Sequence, residues 1–103
     1  MSTYQMAALG ALGDPTRRAI FELLVALPRS VGELADELPV SRPAVSQHLK
    51  VLKEAGLVTD LAQGTRRLYR VDRRGVGALR EYLDHLWDNA LTAFAAEVEK
   101  ELQ

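Results

Sequence analysis

Residues 30–58 read SVGELADELPVSRPAVSQHLKVLKEAGLV, and the cap residues in this run leave room for two short helices with almost nothing between them. Ser30 followed by Glu33 is a capping box: the hydroxyl accepts from the backbone N–H three residues on, and the carboxylate reaches back to the N–H of Ser30. A second start stands at Ser41, with Arg42 and Pro43 in the first turn, where a missing N–H is harmless. Gly56 lies where that helix needs a left-handed residue to end. With only Pro39 and Val40 expected between them, the two helices must cross at a large angle.

The elements on either side follow from the same signals. Tyr4, Met6, Leu9 and Leu12 recur at roughly helical spacing over 3–12, and Gly10 and Gly13 weaken the end of that helix. Asp14 caps another, with Pro15 at its first position, Ile20, Leu23, Leu24 and Leu27 as its buried stripe and Pro28 as its stop. Downstream, Leu57 to Gln63 and Thr65 to Val71 read as two strands around Gly64, with Leu61, Leu68 and Val71 giving apolar contacts. A long helix over 75–102 ends the chain. The expected fold class is mainly α with a small β-hairpin: about five helices plus a two-stranded wing, a winged helix-turn-helix, in a single domain over 1–103. Its parts are the helix-turn-helix at 30–56, the wing at 57–71 and a dimerisation helix at 75–102.

Composition narrows the function. A chain of 103 residues, 48% of them hydrophobic, carries one modest core and no internal repeat. No apolar run approaches a membrane span and the first residues lack a charged n-region ahead of a long apolar stretch, so the expectation is a cytoplasmic protein with no membrane partner. The absence of cysteine excludes disulfides, thiolate metal ligands and cysteine nucleophiles together. Net charge is −1 but unevenly spread. Residues 42–80 hold nine basic against three acidic side chains, and residues 81–103 one basic against six acidic. The positive block coincides with the paired helices and the hairpin, which is the electrostatic footprint of a nucleic-acid surface.

In the helix after Ser41, Val45, Leu49 and Leu52 recur at i, i+4 and i+7 and define its buried side. Pro43, Gln47 and Lys50 lie opposite, flanked by Ser46 and Lys53, so double-stranded DNA is the expected partner, with this helix in the major groove. Gln47 suits an adenine edge, Lys50 guanine or phosphate, Ser46 either, and Arg42 a phosphate or an adjacent base. Ser41 combines its cap with a phosphate contact at the helix N-terminus. His48, on the flank, suits packing or a phosphate bond, with a base contact or a metal or catalytic role as further readings. Thr65, Arg66 and Arg67 stand at the hairpin tip and Arg70 further along, where arginine can follow phosphates or enter a narrow minor groove. Arg70, Arg73 and Arg74 can equally meet the acidic last helix.

That last helix has too wide an apolar face for the rim of so small a domain. Val76, Leu79, Leu83, Leu86, Ala90, Phe94 and Val98 form one stripe, which Tyr82, Trp87, Leu91 and Leu102 broaden. A homodimer with a two-fold axis accounts for the excess, its interface drawn from Tyr4, Met6, Leu9, Leu83, Leu86, Trp87, Ala90, Leu91 and Phe94.

Three runs, LGDPTRRAIFELL, ELADELPVSRPAVSQHLKVLKEAGLV and GTRRLYRV, covering most of the chain from Leu12 to Val71, resemble the ArsR/SmtB family of small winged-helix repressors. The resemblance implies a dimer built from first and last helices, binding to an imperfect inverted repeat, repression that often includes the protein's own operon, and release by an inducer. It does not bring the family's metal sites. Arsenic sensors carry paired cysteines where this chain has Val31, Gly32, Glu33 and Leu34, and zinc sensors use a last-helix set of which Asp84, His85, Asp88 and Glu97 supply only one imidazole. The expectation is therefore a repressor or autorepressor with no cofactor and no metal, whose inducer, an unknown small molecule where one exists, is not a thiophilic metal. Two other classes compete. A winged helix serving as a protein-interaction module would show apolar residues in place of Ser46, Gln47, Lys50, Arg66 and Arg67. An enzyme would need a phosphate loop, nucleophile elbow or metal triad, and none occurs.

Overall fold

A computed structural model describes residues 2–102. The chain runs α1 (Thr3–Leu12), α2 (Pro15–Ala26), α3 (Val31–Glu37), α4 (Arg42–Glu54), β1 (Val58–Gln63), β2 (Arg66–Val71) and α5 (Arg73–Leu102). Each of the first four helices starts at a side-chain cap. The Ser30 box forms as expected, Ser41 Oγ accepts from the N–H of Ala44 at 3.3 Å, and Asp14 Oδ2 accepts from that of Arg17 at 2.9 Å. α1 has a full capping box between Ser2 and Gln5 that the sequence reading passed over. Gln5 then also donates through Nε2 to the carbonyl of Ala78, pinning α1 to α5.

The core is one cluster at the crossing of α2, α3 and α4. Ile20 and Leu24 from α2, Leu34 from α3, and Val45, Leu49 and Leu52 from α4 are buried with Leu57 and Val58, and Ala8 and Ala11 close it from α1. Burying such side chains stabilises by about 1.5–3 kcal/mol each, so this cluster decides how the helix pair sits.

Several boundaries differ from the sequence reading, each for a local reason. Leu38 to Ser41 separate α3 from α4, rather than Pro39 and Val40 alone, because α3 ends at Glu37. Leu27 is not part of the buried stripe: it terminates α2 in an extended conformation and is 50% exposed. Leu57 belongs to the core rather than the wing, its N–H bonded to the carbonyl of Leu52 and its carbonyl to the N–H of Asp72. Thr65 lies in a two-residue loop with Gly64, whose φ of 63° suits glycine, so β2 starts at Arg66. Leu61, expected to give an apolar contact, points away from the core and is largely exposed. The last helix begins at Arg73 rather than Gly75, since Asp72 already serves its first turn by accepting from the N–H of Arg74 at 3.0 Å.

β1 and β2 pair antiparallel from Val58↔Val71 to Gln63↔Arg66. The linker between α2 and α3 adds a partial third strand, with Arg29 and Tyr69 exchanging both backbone hydrogen bonds at 3.0 and 2.8 Å. α5 leaves the body of the protein early. Val76, Leu79 and Tyr82 are half-buried, every described residue from Leu83 onward is exposed, and the resulting long dimension is 67 Å against 25 and 22 Å.

The start of α5 lies so close to the Gly56 turn that a Cβ on Gly75 would stand 1.7 Å from the Gly56 carbonyl oxygen, whereas a Cβ on Gly77 meets nothing within 4 Å. Gly75→Ala should lower the unfolding free energy by about 1–3 kcal/mol through overpacking. Gly77→Ala should raise it by about 0.5–1 kcal/mol through helix propensity. Urea denaturation of both at one protein concentration checks the opposite signs.

Candidate nucleic-acid interface

Burial of Val45, Leu49 and Leu52 fixes the rotation of α4 about its axis, and the opposite side is left to solvent. Ser41, Arg42, Pro43, Ser46, Gln47, Lys50 and Lys53 are exposed, and His48, on the flank, is half-buried. Arg42 folds back over α3, its guanidinium within 3.2 Å of the position a Cβ on Gly32 would take. On the hairpin, Arg66, Arg67 and Arg70 are exposed. Thus α4 and the hairpin tip both present exposed polar and cationic side chains.

The structure joins some of these residues and separates others. Lys53 on α4 and Arg67 on β2 meet at the Asp60 carboxylate, with Lys53 Nζ 2.5 Å from Oδ1 and Arg67 Nη1 on Oδ2. Arg66 reaches across to Glu33 on α3. Arg70 does not join them: it pairs in register with Thr59 nearer the hairpin base, and with Arg73, Arg74, Val25 and Leu27 it lines a separate cleft of about 670 Å³. Among the described residues Arg42, Lys50, Arg70 and Arg73 have no carboxylate partner.

Asp60 and Glu33 hold cations of this surface, a role the sequence reading did not give them: it counted Asp60 only as a charge and read Glu33 as a cap. The available signal for Asp60 was alternation: it shares a strand face with Val58, so a carboxylate is turned inward beneath a basic hairpin. Hydrogen bonds from Lys53 and then Arg67 hold it below the usual carboxylate range. Glu33 is lowered first by the backbone N–H and hydroxyl of Ser30, with Arg66 and Arg29 adding attraction. Asp14 is lowered chiefly by the N–H of Arg17, and Asp72 by that of Arg74.

A second surface runs along α1 and α5. Tyr4, Met6, Leu83, Leu86, Trp87, Ala90, Leu91 and Phe94 are exposed and Leu9 is half-buried, with Trp87 and Phe94 about two-thirds accessible. So contiguous an apolar face is more than a monomer leaves to water without purpose. Asp84, His85, Asp88 and Glu97 are all exposed on α5, and among the described residues no three His, Asp or Glu side chains gather within one protomer. No described helix is long and apolar enough to cross a membrane.

A family model described as a helix-turn-helix domain matches residues 12–60. The HTH-type transcriptional regulator Rv2034 of Mycobacterium tuberculosis is 57% identical over 103 residues, covering 98% of this chain and 96% of that protein. The HTH-type transcriptional repressor SmtB of the same species is 51% identical over 63 residues, 61% of this chain; the chain spans about half (47%) of that repressor. The solution structure of a homodimeric winged helix-turn-helix DNA-binding domain from Mycobacterium bovis, a possible ArsR-family regulator, superposes with a TM-score of 0.66 at 32% identity over 84% of this chain and 82% of that one. The chain belongs to the ArsR/SmtB family of transcriptional regulators. It is a DNA-binding regulator of the helix-turn-helix type, not an enzyme. The fold is that of a winged helix-turn-helix, with α3 and α4 as its helix pair and the β1–β2 hairpin beside them.

The lowered carboxylates set the acid response. A group whose folded pKa lies below its unfolded value contributes stability that is fully present above the unfolded value, about pH 4, and is lost as pH falls through the folded one. Thermal melts should therefore be insensitive to these four groups between about pH 6 and 8 and fall steeply below about pH 4. Asp60→Asn should show a shallower fall than the parent protein, because one of the four groups no longer titrates.

Proposed function

We propose that this chain is a sequence-specific repressor, or autorepressor, that binds an imperfect inverted-repeat operator as a homodimer. The observation that carries the reading is the exposed Ser46, Gln47 and Lys50 face of α4 beside a wing tipped by Arg66 and Arg67. In this arrangement Gln47, Ser46 and Lys50 read base edges in the major groove, while Ser41, Arg42, Pro43, His48 and Lys53 seat the helix against the flanking backbone. Arg66 and Arg67 follow phosphates or enter the adjacent minor groove, and Arg70 makes an outer phosphate contact.

The dimer is supported by the bare apolar face of α1 and α5, through Tyr4, Met6, Leu9, Leu83, Leu86, Trp87, Ala90, Leu91 and Phe94, and by the homodimeric relative. A two-fold axis there repeats α4 and matches a two-fold operator. The wing and the helix-turn-helix act as the reading unit and the last helix as the dimerisation element. Any inducer is a small molecule other than a thiophilic metal, since the chain offers no thiolate.

Two measurements test this. Binding to the protein's own upstream DNA should exceed binding to a scrambled duplex and fall steeply with salt. Replacing Arg66 and Arg67 together by Ala should flatten the logarithmic salt slope by on the order of three to four units per dimer, whereas Gln47→Ala should mainly relax sequence preference. An unaltered slope in the double variant would remove the wing from the interface. Separately, Leu91→Glu with Phe94→Glu should yield a monomer in analytical ultracentrifugation and weaken operator binding by about two decades or more, as two half-sites are no longer held together.

A further inference from the structure

The wing is fastened to the rest of the protein by two kinds of ion pair that differ in their exposure. Glu33 and Arg66 are both about half exposed at the side chain, so water competes freely and the arginine can leave for a phosphate at little cost. Asp60 is different. Its side chain is only 4% exposed, while its partners Lys53 and Arg67 remain 53% and 57% exposed. Each carboxylate oxygen holds one cation, so the covered carboxylate stands between a side chain of α4 and one of the hairpin. Its strand position adds to the constraint. Asp60 lies opposite Tyr69, the residue that Arg29 fixes through two backbone hydrogen bonds.

We propose that Asp60 is a positioning residue for DNA reading: its covered carboxylate links the ammonium of Lys53 on α4 to the guanidinium of Arg67 on the wing, and so sets where both cations meet the duplex. The proposal rests on the reading of α4 and the wing as the DNA-contacting surface. Long cationic side chains that are free to move reach phosphates in many registers, which serves any duplex equally. Held at fixed places relative to Gln47, they favour the register in which that residue meets its base, since phosphate contacts set the alignment in which bases are read.

Charge alone predicts the opposite of positioning, and this separates the two. Removing the carboxylate adds one positive charge per protomer, so a simple charge brake would tighten binding to every sequence when lost. A positioning residue, when lost, weakens the selected sequence while leaving unrelated DNA bound as well as before or better.

The test uses the full chain and a duplex that the parent protein itself enriches from a random pool, with a scrambled duplex alongside. Asp60→Asn is expected to weaken the enriched duplex about tenfold, the scale of one lost base-pair preference, with the scrambled duplex unchanged or tighter. Lys53→Gln and Arg67→Gln, singly and together, give a second measurement that leaves Asp60 in place. Their effects on the enriched duplex should be less than additive, because either one already breaks the link. The proposal is overturned if Asp60→Asn shifts both duplexes by the same factor in either direction, or if the Lys53 and Arg67 effects simply add. Should the parent protein enrich no sequence at all, the DNA-reading assignment itself fails and this inference fails with it; enrichment by the parent with an unchanged ratio in Asp60→Asn removes only the inference.

Discussion

Val45, Leu49 and Leu52 are fully buried against Ile20, Leu24 and Leu34, and the packing of that one stripe orients everything else on α4. Because 100° separates successive residues, burying i, i+4 and i+7 leaves Gln47 and Lys50 no orientation but outward. A helix only 13 residues long is marginal by itself in water, so its existence as well as its rotation comes from this contact. The caps at Ser30 and Ser41 then fix where α3 and α4 begin, and the core fixes their crossing.

The wing has no comparable core. Beyond Val58, Tyr69 and Val71 none of its side chains joins the apolar core, and a lone two-stranded hairpin is barely stable. Its attachment is instead made at its edge and at its inner face. Arg29 extends the sheet by one backbone pair, while the Asp60 carboxylate links it to Lys53 on α4. Hairpin and α4 are therefore joined directly, through a carboxylate on one and a cation on the other.

α5 shows the reverse balance. Its first turns are locked by the Gly75 approach to Gly56 and by Gln5 on Ala78, and the remainder projects with an apolar stripe in water. A 30-residue helix is about 45 Å long, far more than the domain beneath it can cover. That length keeps its apolar stripe uncovered within one chain.

Much of this was legible in the residues. The Ser30 capping box, the Pro15 and Pro43 starts, the i, i+4, i+7 stripe of α4 and the polar residues opposite it are local, periodic signals, and backbone hydrogen bonding obeys them wherever the chain goes. The boundaries that moved, at Leu27, Leu57, Thr65 and Gly75, are places where a residue's partner lies far along the chain. Leu57 is drawn into the core by Leu52 and Asp72, and Leu27 is left out because α2 has already ended. Neither the Arg29 pairing with Tyr69 nor the meeting of Lys53 and Arg67 on Asp60 has a spacing to announce it, since each joins segments that only folding brings together. The sequence by itself determined which helices form, which face of α4 is polar and the family to which the chain belongs. The tertiary structure decided how α4 and the hairpin are fastened, because the Asp60 carboxylate acquires its partners from packing and not from its place in the chain.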